Sequence, residues 1–576
     1  MKKLLRFLKH YKVESILGPL FKLLEASFEL FIPLVVADII DSGIANSDKN
    51  YVVTHVLIMA LLGLVGFISS VTAQYFAAKA ATGFATELRH ALFEHIQGLS
   101  FSSIDKAGTS SLINRLTSDV NAVQGCVNMV LRLFLRSPFI VFGAMIMAFT
   151  VDVKCALIFC VAIPLLMIVV FGILLASMPL YTTVQSKLDR ILRLTRENLN
   201  GIRVIRVFGK EQDEVNNFNA RNDELRKVQI VSGKLSALMN PITFVIINAA
   251  MVVLIYTGAV RVDNGILTQG QVVALVNYMS QILVELIKLA NLIIQVTKAM
   301  ASANRITQVF DMKSNMQFPE STAAAADSDA PAVIEFKNVS LAYNETGDAA
   351  VSDINFTVKR GQTIGIIGGT GSGKSTIVNM IPRFYDATAG EVIVDGLNVK
   401  DYAMDDIRSK VGIVLQKAVL FKGTIRDNIK WGKPDATDEE IIAALKKAQA
   451  WEFVEEKEGR LDYELNTGAT NLSGGQRQRL SIARALVRDP EILILDDSSS
   501  ALDYVTDSKL RNAIKDYTMI IVSQRITSIA GADNILVLDD GRICGQGTHD
   551  ELLKTCDVYR EIYDIDMKTN SREVAS

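Results

Sequence analysis

Apolar residues gather into long runs through the first three hundred positions, and polar residues fall mostly between those runs. No formally charged residue occurs between Lys154 and Lys187, or between Lys234 and Arg261. Each stretch exceeds the ~20 apolar residues with which an α-helix crosses a bilayer. The pattern predicts six spans, near residues 15–40, 51–78, 130–151, 155–178, 236–260 and 270–297. The first carries Lys22, Glu25, Glu29 and Asp38, the third Arg132 and Arg136, and the sixth Glu285 and Lys288. Ionisable groups inside a span face a protein interior or a watery cavity, which makes them candidate cargo contacts. The structural alternative is that they snorkel or pair with one another. Ahead of the first span, Arg6, Lys9 and Lys12 interrupt the apolar core of MKKLLRFLKHYK, so this segment reads as an amphipathic helix lying in the membrane interface.

The distribution of basic residues orients these spans. Segment 187–234 carries 11 Lys and Arg against 7 acids, whereas 41–50, 152–154 and 261–269 carry one basic residue each. Excess basic charge marks the cytoplasmic side, so the long segments, both termini and everything after the last span are expected in the cytoplasm. Segments 79–129 and 187–234 mix polar and apolar residues at helical spacing, which predicts that the spans continue as cytoplasmic helical arms, each reversing near its middle.

Beyond Met312 the pattern changes. STAAAADSDAPAV reads as a linker, and from Val333 short β-branched runs alternate with helical segments: VIEFKNVSLAY, INFTV, TIGIIG, EVIVDG, EILILDD, TMIIVS and NILVLDDGRI. This is an α/β layout with a parallel core sheet and antiparallel additions. The expected organisation is a membrane domain over 1–315, a linker over 316–332 and a second domain with a C-terminal tail over 333–576. The fold class is therefore a polytopic α-helical membrane domain followed by an α/β phosphate-loop domain.

Composition removes several alternatives. Lys and Arg total 60 against 62 Asp and Glu, which argues against a polybasic nucleic-acid binder, so no nucleic-acid partner is expected. A hydrophobic content of 49% excludes intrinsic disorder. The 5 cysteines include no Cys-x-x-Cys pair, so neither a disulfide framework nor a zinc site is indicated.

The candidate chemistry lies in the second domain. The strand TIGIIG runs into GGTGSGKS, residues 368–375, a phosphate-loop pattern in its required strand–loop–helix context. Gly368, Gly369, Thr370, Gly371, Ser372 and Gly373 would wrap backbone N–H groups around phosphates. Lys374 would reach the outer phosphates, Ser375 would bind magnesium, and Thr376 follows on the same turn. In ILILDD, Asp496 ends a buried strand where a magnesium-orienting acid belongs, acting directly or through water. LSGGQRQRL begins 24 residues before Asp496; its Ser473, Gly474, Gly475 and Gln476 would cap a helix and offer N–H groups to an anion.

In these elements the chain resembles a half-transporter of the ATP-binding cassette exporter family over nearly its whole length. Tyr343 matches the aromatic that stacks on adenine, Gln416 in IVLQKAVLFKGTI matches the glutamine that contacts magnesium, and SALD at 500–503, ending in Asp503, matches the loop at the dimer interface. SSLINRLTSDV and GIRVIRVFGKEQDEVNNF are similar to family segments around the cytoplasmic arms. The resemblance implies ATP and Mg2+ as cofactors and a pair of chains as the working unit. Each ATP would lie between one chain's phosphate loop and the other's Ser473, Gly474, Gly475, Gln476 and Asp503. It also implies short helices at the arm tips, near 101–108 and 207–215.

Two departures from the family bear on mechanism. Members that hydrolyse efficiently place Glu, the general base, where this chain has Asp497, which is shorter by one methylene, about 1.5 Å. The family His that contacts the γ-phosphate is replaced by Gln524, which donates hydrogen bonds but does not become cationic. A third departure is Thr467, at a position usually given to Glu. Both catalytic losses fall on the ATP held by this chain's own phosphate loop, while LSGGQ, which serves a partner's ATP, is intact. The expected assembly is a heterodimer with this chain at the degenerate site. A slow homodimeric exporter and an ATP-gated, non-transporting regulator are the alternatives. The resemblance favours small hydrophobic or amphipathic cargo. The lack of an N-terminal leader peptidase or transit segment suits a non-peptide exporter of the bacterial cytoplasmic membrane.

Overall fold

The computed structural model describes residues 3–323, 332–343, 347–498 and 501–574, the stretch 567–574 by backbone alone. Residues 324–331 of the predicted linker and Ser500 of SALD lie outside the described residues. The chain divides into two compact units, one of residues 1–98 and 107–312, the other of residues 99–106 and 313–576.

The first unit is helical throughout. A 3-10 turn over Leu4–Tyr11 leads into helix Lys12–Asp38, followed by long helices Lys49–Gln97, Val153–Asn200, Glu211–Ala237, Met239–Asp263 and Gln269–Asp311. The short polar loops supply the caps. Asp48 accepts from the backbone N–H groups of Asn50 and Tyr51, Asp152 from that of Cys155, and Thr268 forms a capping box with Gln271. Each side chain satisfies an N–H that the first helical turn leaves unpaired. Helices Lys12–Asp38 and Lys49–Gln97 meet along small residues. Ala73, Ala77, Ala80 and Ala81 are fully buried, and a Cβ at Gly18 would stand 3.4 Å from the backbone of Ala77. Small side chains let helix backbones approach where apolar solvent supplies no hydrophobic drive.

Among the described residues, five stretches are long and apolar enough to cross a membrane: Lys49–Gln97, Thr109–Val151, Val153–Asn200, Glu211–Asp263 and Gln269–Asp311. The helix at the first expected span, Lys12–Asp38, is long enough but carries too much charge to join them. Of its charges, Lys22 pairs with Glu25 at 2.5 Å, and Glu29 pairs with Arg136 at 2.6 Å. The arms reverse where expected, but one tip differs. A short helix occupies Phe101–Ala107, whereas the second lies at Ile202–Val207, not 207–215. Gly201 ends the preceding helix, Gly209 at φ +59° makes the turn, and Glu211 already opens the returning helix.

The second unit holds strands β1 (Ala332–Leu341), β2 (Val351–Lys359), β3 (Thr363–Gly368), β4 (Ala389–Val394), β5 (Leu397–Asn398), β6 (Val411–Val414), β7 (Gly423–Thr424), β8 (Glu464–Leu465), β9 (Ile492–Asp496), β10 (Thr518–Val522), β11 (Asn534–Asp539) and β12 (Arg542–Gly547). The main sheet runs β12-β11-β3-β10-β9-β6, parallel except for the edge strand β12. A separate antiparallel sheet runs β2-β1-β4-β5. The parallel core and antiparallel additions agree with the sequence pattern. The edge strand β6 had no signal of its own, because VGIV is too short to show a period. Residues 99–106 belong to this unit: the Phe101 ring lies 4.7 Å from that of Phe384, and Asp105 accepts from the Tyr385 hydroxyl at 2.6 Å.

Candidate nucleotide site

The site forms at the C-terminal ends of β3, β10 and β9, where a parallel sheet ordinarily presents its ligand crevice. Register brings them level: Val522 pairs with Ile366 on one side and Asp496 on the other. The loop leaving β3 turns through Gly371 and Gly373, at φ +86° and +94°, conformations that strain any residue with a Cβ. At Gly373 a Cβ would also lie 2.4 Å from Val351 Cγ1. Helix Lys374–Met380 starts directly after it.

Lys374 is buried and curls over the loop, its Nζ donating to the carbonyls of Gly368 at 2.8 Å and Gly369 at 2.6 Å. Burial pulls its ammonium below the ordinary lysine range, against the opposing pull of Asp497 and Asp496. Ser375 Oγ donates to Asp496 Oδ1 at 3.1 Å. Burial raises the Asp496 carboxyl above the carboxylate range, and the neighbouring charge of Asp497 adds to this. Asp497 is raised as well, chiefly by burial, and stands at φ +48° with its N–H donating to Val522 O at 2.9 Å. Gln416 Nε2 and Gln524 Nε2 both donate to Asp497 Oδ2, at 3.2 and 3.4 Å.

These groups border one cleft of about 280 Å³, lined also by Tyr343, Thr370 and Thr376. The Tyr343 hydroxyl and Thr376 Oγ1 are 3.0 Å apart, and the Tyr343 ring stands edge-on to Tyr385 at 5.2 Å. Of the residues singled out from sequence, Gly368, Gly369 and Ser372 of the loop and Ser473, Gly474, Gly475, Gln476 and Asp503 do not line this cleft. Ser473 caps helix Gly474–Leu486 in a capping box with Gln476, and Asp503 caps helix Tyr504–Ile514. A Cβ at Gly475 would approach Ala501 O to 2.9 Å, whereas Gly474 faces open space. Two lining residues, Ala350 and Val522, escaped the sequence reading because both contribute only as neighbours of the loop.

The donors suit ATP with Mg2+. Exposed loop N–H groups fit phosphate, and the close hydroxyl of Ser375, the carboxylate of Asp496 and the amide of Gln416 are hard oxygen donors of the kind magnesium takes. When bound, Mg2+ neutralises charge on the phosphates. A divalent ion would also relieve the proximity of the buried Asp496 and half-buried Asp497 carboxylates.

A phosphate loop on a parallel sheet, joined in one chain to a helical unit of membrane-crossing length, defines a membrane-embedded ATPase. Residues 15–286 match the family described as ABC transporter transmembrane region, and residues 351–500 the family described as ABC transporter. YfiB of Bacillus subtilis (strain 168), an uncharacterized ABC transporter ATP-binding protein, is 36% identical over 566 residues, 98% of each chain. YgaD of the same organism, a putative multidrug export ATP-binding/permease protein, is 34% identical over 600 residues, covering 98% of this chain and 99% of its own. In fold, the chain matches a bacterial Atm1-family ABC exporter with ATP bound, with a TM-score of 0.77 at 23% identity and coverage of 97% and 98%.

The chain belongs to the ABC transporter family, with its transmembrane region and its ATP-binding domain in one polypeptide. It is a multi-span membrane protein and an ABC-type transporter ATPase, or translocase.

Proposed function

We infer that this chain is one half of an ATP-driven exporter that moves hydrophobic or amphipathic compounds out of the cytoplasm or inner leaflet, and that it works as the degenerate-site subunit of a heterodimer. Six spans, with Lys12–Asp38 as the first, place both termini and the ATPase domain in the cytoplasm of a bacterial cell. Domain limits of 1–315 and 333–576 go with this reading. Tyr343 receives adenine, the loop from Gly368 to Thr376 receives the phosphates, and Ser375, Gln416 and Asp496 face magnesium. Ser473, Gly474, Gly475, Gln476 and Asp503 contact the partner's ATP. The similarity to YgaD, a putative multidrug export protein, supports drug-like cargo for this chain.

The observation that carries the degenerate site is the environment of Asp497. Its carboxylate is one methylene short of the family Glu, and two neutral amides, Gln416 and Gln524, donate to one of its oxygens. A carboxylate oxygen engaged by two donors is a weaker proton acceptor. LSGGQ keeps its capped helix start, which suits service to a competent site built by a partner.

One observation favours a second reading, the slow homodimeric exporter. Burial lifts the Asp497 carboxyl, and a raised pKa improves a general base. Steady-state ATPase activity separates the two. The heterodimer predicts turnover near ~10 per second only with a second half-transporter carrying Glu and His, lost when that Glu is removed. Comparable turnover from this chain alone would make Asp497 an adequate base and the homodimer correct. ATP-dependent closure without cargo movement by any assembled pair would identify a regulator.

A further inference from the structure

Six charged residues of the helical unit form one continuous string. Lys22 pairs with Glu25 at 2.5 Å; Arg136 pairs with Glu29 and Glu285, each at 2.6 Å, and lies 3.9 Å from Glu25; Lys288 pairs with Glu285 at 2.7 Å. It links helices Lys12–Asp38, Arg136–Val151 and Gln269–Asp311, and its three cations balance three carboxylates. The inner members are buried: the side chains of Arg136 and Lys22 are 8% exposed and that of Glu285 is 3% exposed. The two members with open faces are of opposite sign, Glu29 at 39% and Lys288 at 40%.

Two further groups lack partners. Arg136 Nε, a donor, and Gln281 Oε1, an acceptor, are buried without a hydrogen bond. Gln281, Glu285 and Lys288 follow one another at helical spacing on one face of Gln269–Asp311. A buried donor or acceptor left unpaired costs free energy until something pairs with it.

We propose that this string is a recognition site for an amphiphile with a zwitterionic head, an ammonium set against Glu29 and a phosphate or carboxylate against Lys288. The charge balance selects this class. A purely cationic or anionic head would leave the site with net charge in a low-dielectric interior, which is costly, whereas a zwitterion keeps it neutral and engages both open ends. The proposal rests on the reading of the chain as an exporter of amphipathic cargo, whose head-group class it specifies.

The test uses the full chain in dodecyl maltoside, whose head is uncharged, with binding followed by native mass spectrometry. The probes are lysophosphatidylethanolamine, lysophosphatidylglycerol and dodecyltrimethylammonium. The zwitterion should bind about tenfold more tightly than either singly charged probe. Glu29→Gln should shift preference toward the anion, and Lys288→Gln toward the cation. Stabilisation by Mg2+ and ATP, measured on the same samples, reports whether each variant is folded. Equal affinity for all three probes, or a preference untouched in folded variants, overturns the proposal and leaves the exporter reading standing. Failure of the exporter reading has a different mark: no assembled pair moves any amphiphile across a vesicle membrane.

Discussion

Gln524 donates from Nε2 to Asp497 Oδ2 across 3.4 Å. The contact follows from strand order. β10 lies between β3 and β9, so the residues leaving β10 emerge between the phosphate loop and the acidic end of β9. Whatever side chain follows Ser523 is delivered to the carboxylate after Asp496, and in this chain it is a neutral amide. A His there could carry charge near neutral pH and hold both a phosphate and a carboxylate. Gln524 pairs with Asp497 without adding charge.

Restoring both groups should therefore restore chemistry. Asp497→Glu with Gln524→His is expected to raise steady-state ATP turnover about a hundredfold or more, within the ~10²–10⁴ range of general base catalysis. Each single change should gain less, because the base and the group that orients it act together. The check is ATPase activity of the double variant beside the two singles, in an assembly whose other site has lost its base. An unchanged rate would place the limit on the partner's side of the site.

The phosphate loop offers a steric test. Gly373→Ala puts a methyl group 2.4 Å from Val351 Cγ1 and 2.9 Å from Ala350 O, at a φ of +94°. The loop must shift to admit it, and Lys374 begins the next turn. Stabilisation by ATP and Mg2+ in thermal unfolding should be lost, with the helical unit unaffected. By contrast, Gly474→Ala meets open space and should retain this chain's own ATP stabilisation.

Burial holds the Asp496 carboxyl above its ordinary range, so the folded chain keeps that proton to higher pH than the unfolded chain. Where the folded state binds the extra proton, stability falls as pH rises, from the ordinary Asp range through the raised folded value. Asp496→Asn removes this titration. Without nucleotide or magnesium, the variant should unfold at a higher temperature than the native chain at pH 7, and the difference should close near pH 4. Magnesium with ATP should stabilise the native chain and have little effect on the variant. Equal midpoints at pH 7 would mean that Asp496 carries no burial penalty.

The legible parts of this molecule are those that chemistry or solvent imposes locally. A phosphate loop needs glycines at fixed positions and a strand before it, so TIGIIG followed by GGTGSGKS can be read directly. Long apolar helices show themselves in the same way, and their polar caps Asp48, Asp152 and Thr268 sit in loops already visible as charge-bearing breaks. The illegible parts depend on distant partners. Arg136 finds Glu29 and Glu285 across 107 and 149 residues, and nothing local to any of them indicates the match. The second tip helix lies at Ile202–Val207, earlier than the family resemblance implies, because two glycines, Gly201 and Gly209, bracket it. The Gln524–Asp497 contact required the sheet order, which no single segment carries.

Tyr343 joins the cleft in two ways that substitutions separate. Its ring stands edge-on to Tyr385, and its hydroxyl lies 3.0 Å from Thr376 Oγ1, on the helix that opens after the loop. If its task is to receive adenine, the ring face matters most, since base stacking on an aromatic contributes ~1–3 kcal/mol. Tyr343→Ala should then weaken ATP binding about tenfold or more, and Tyr343→Phe should keep most of the affinity. If its task is to position Thr376, Phe should be as damaging as Ala, because both lose the hydroxyl. Triphosphate without a base provides the control. Its binding should be indifferent to Tyr343→Ala under the stacking account, and should fall together with ATP binding if the hydroxyl contact shapes the phosphate loop.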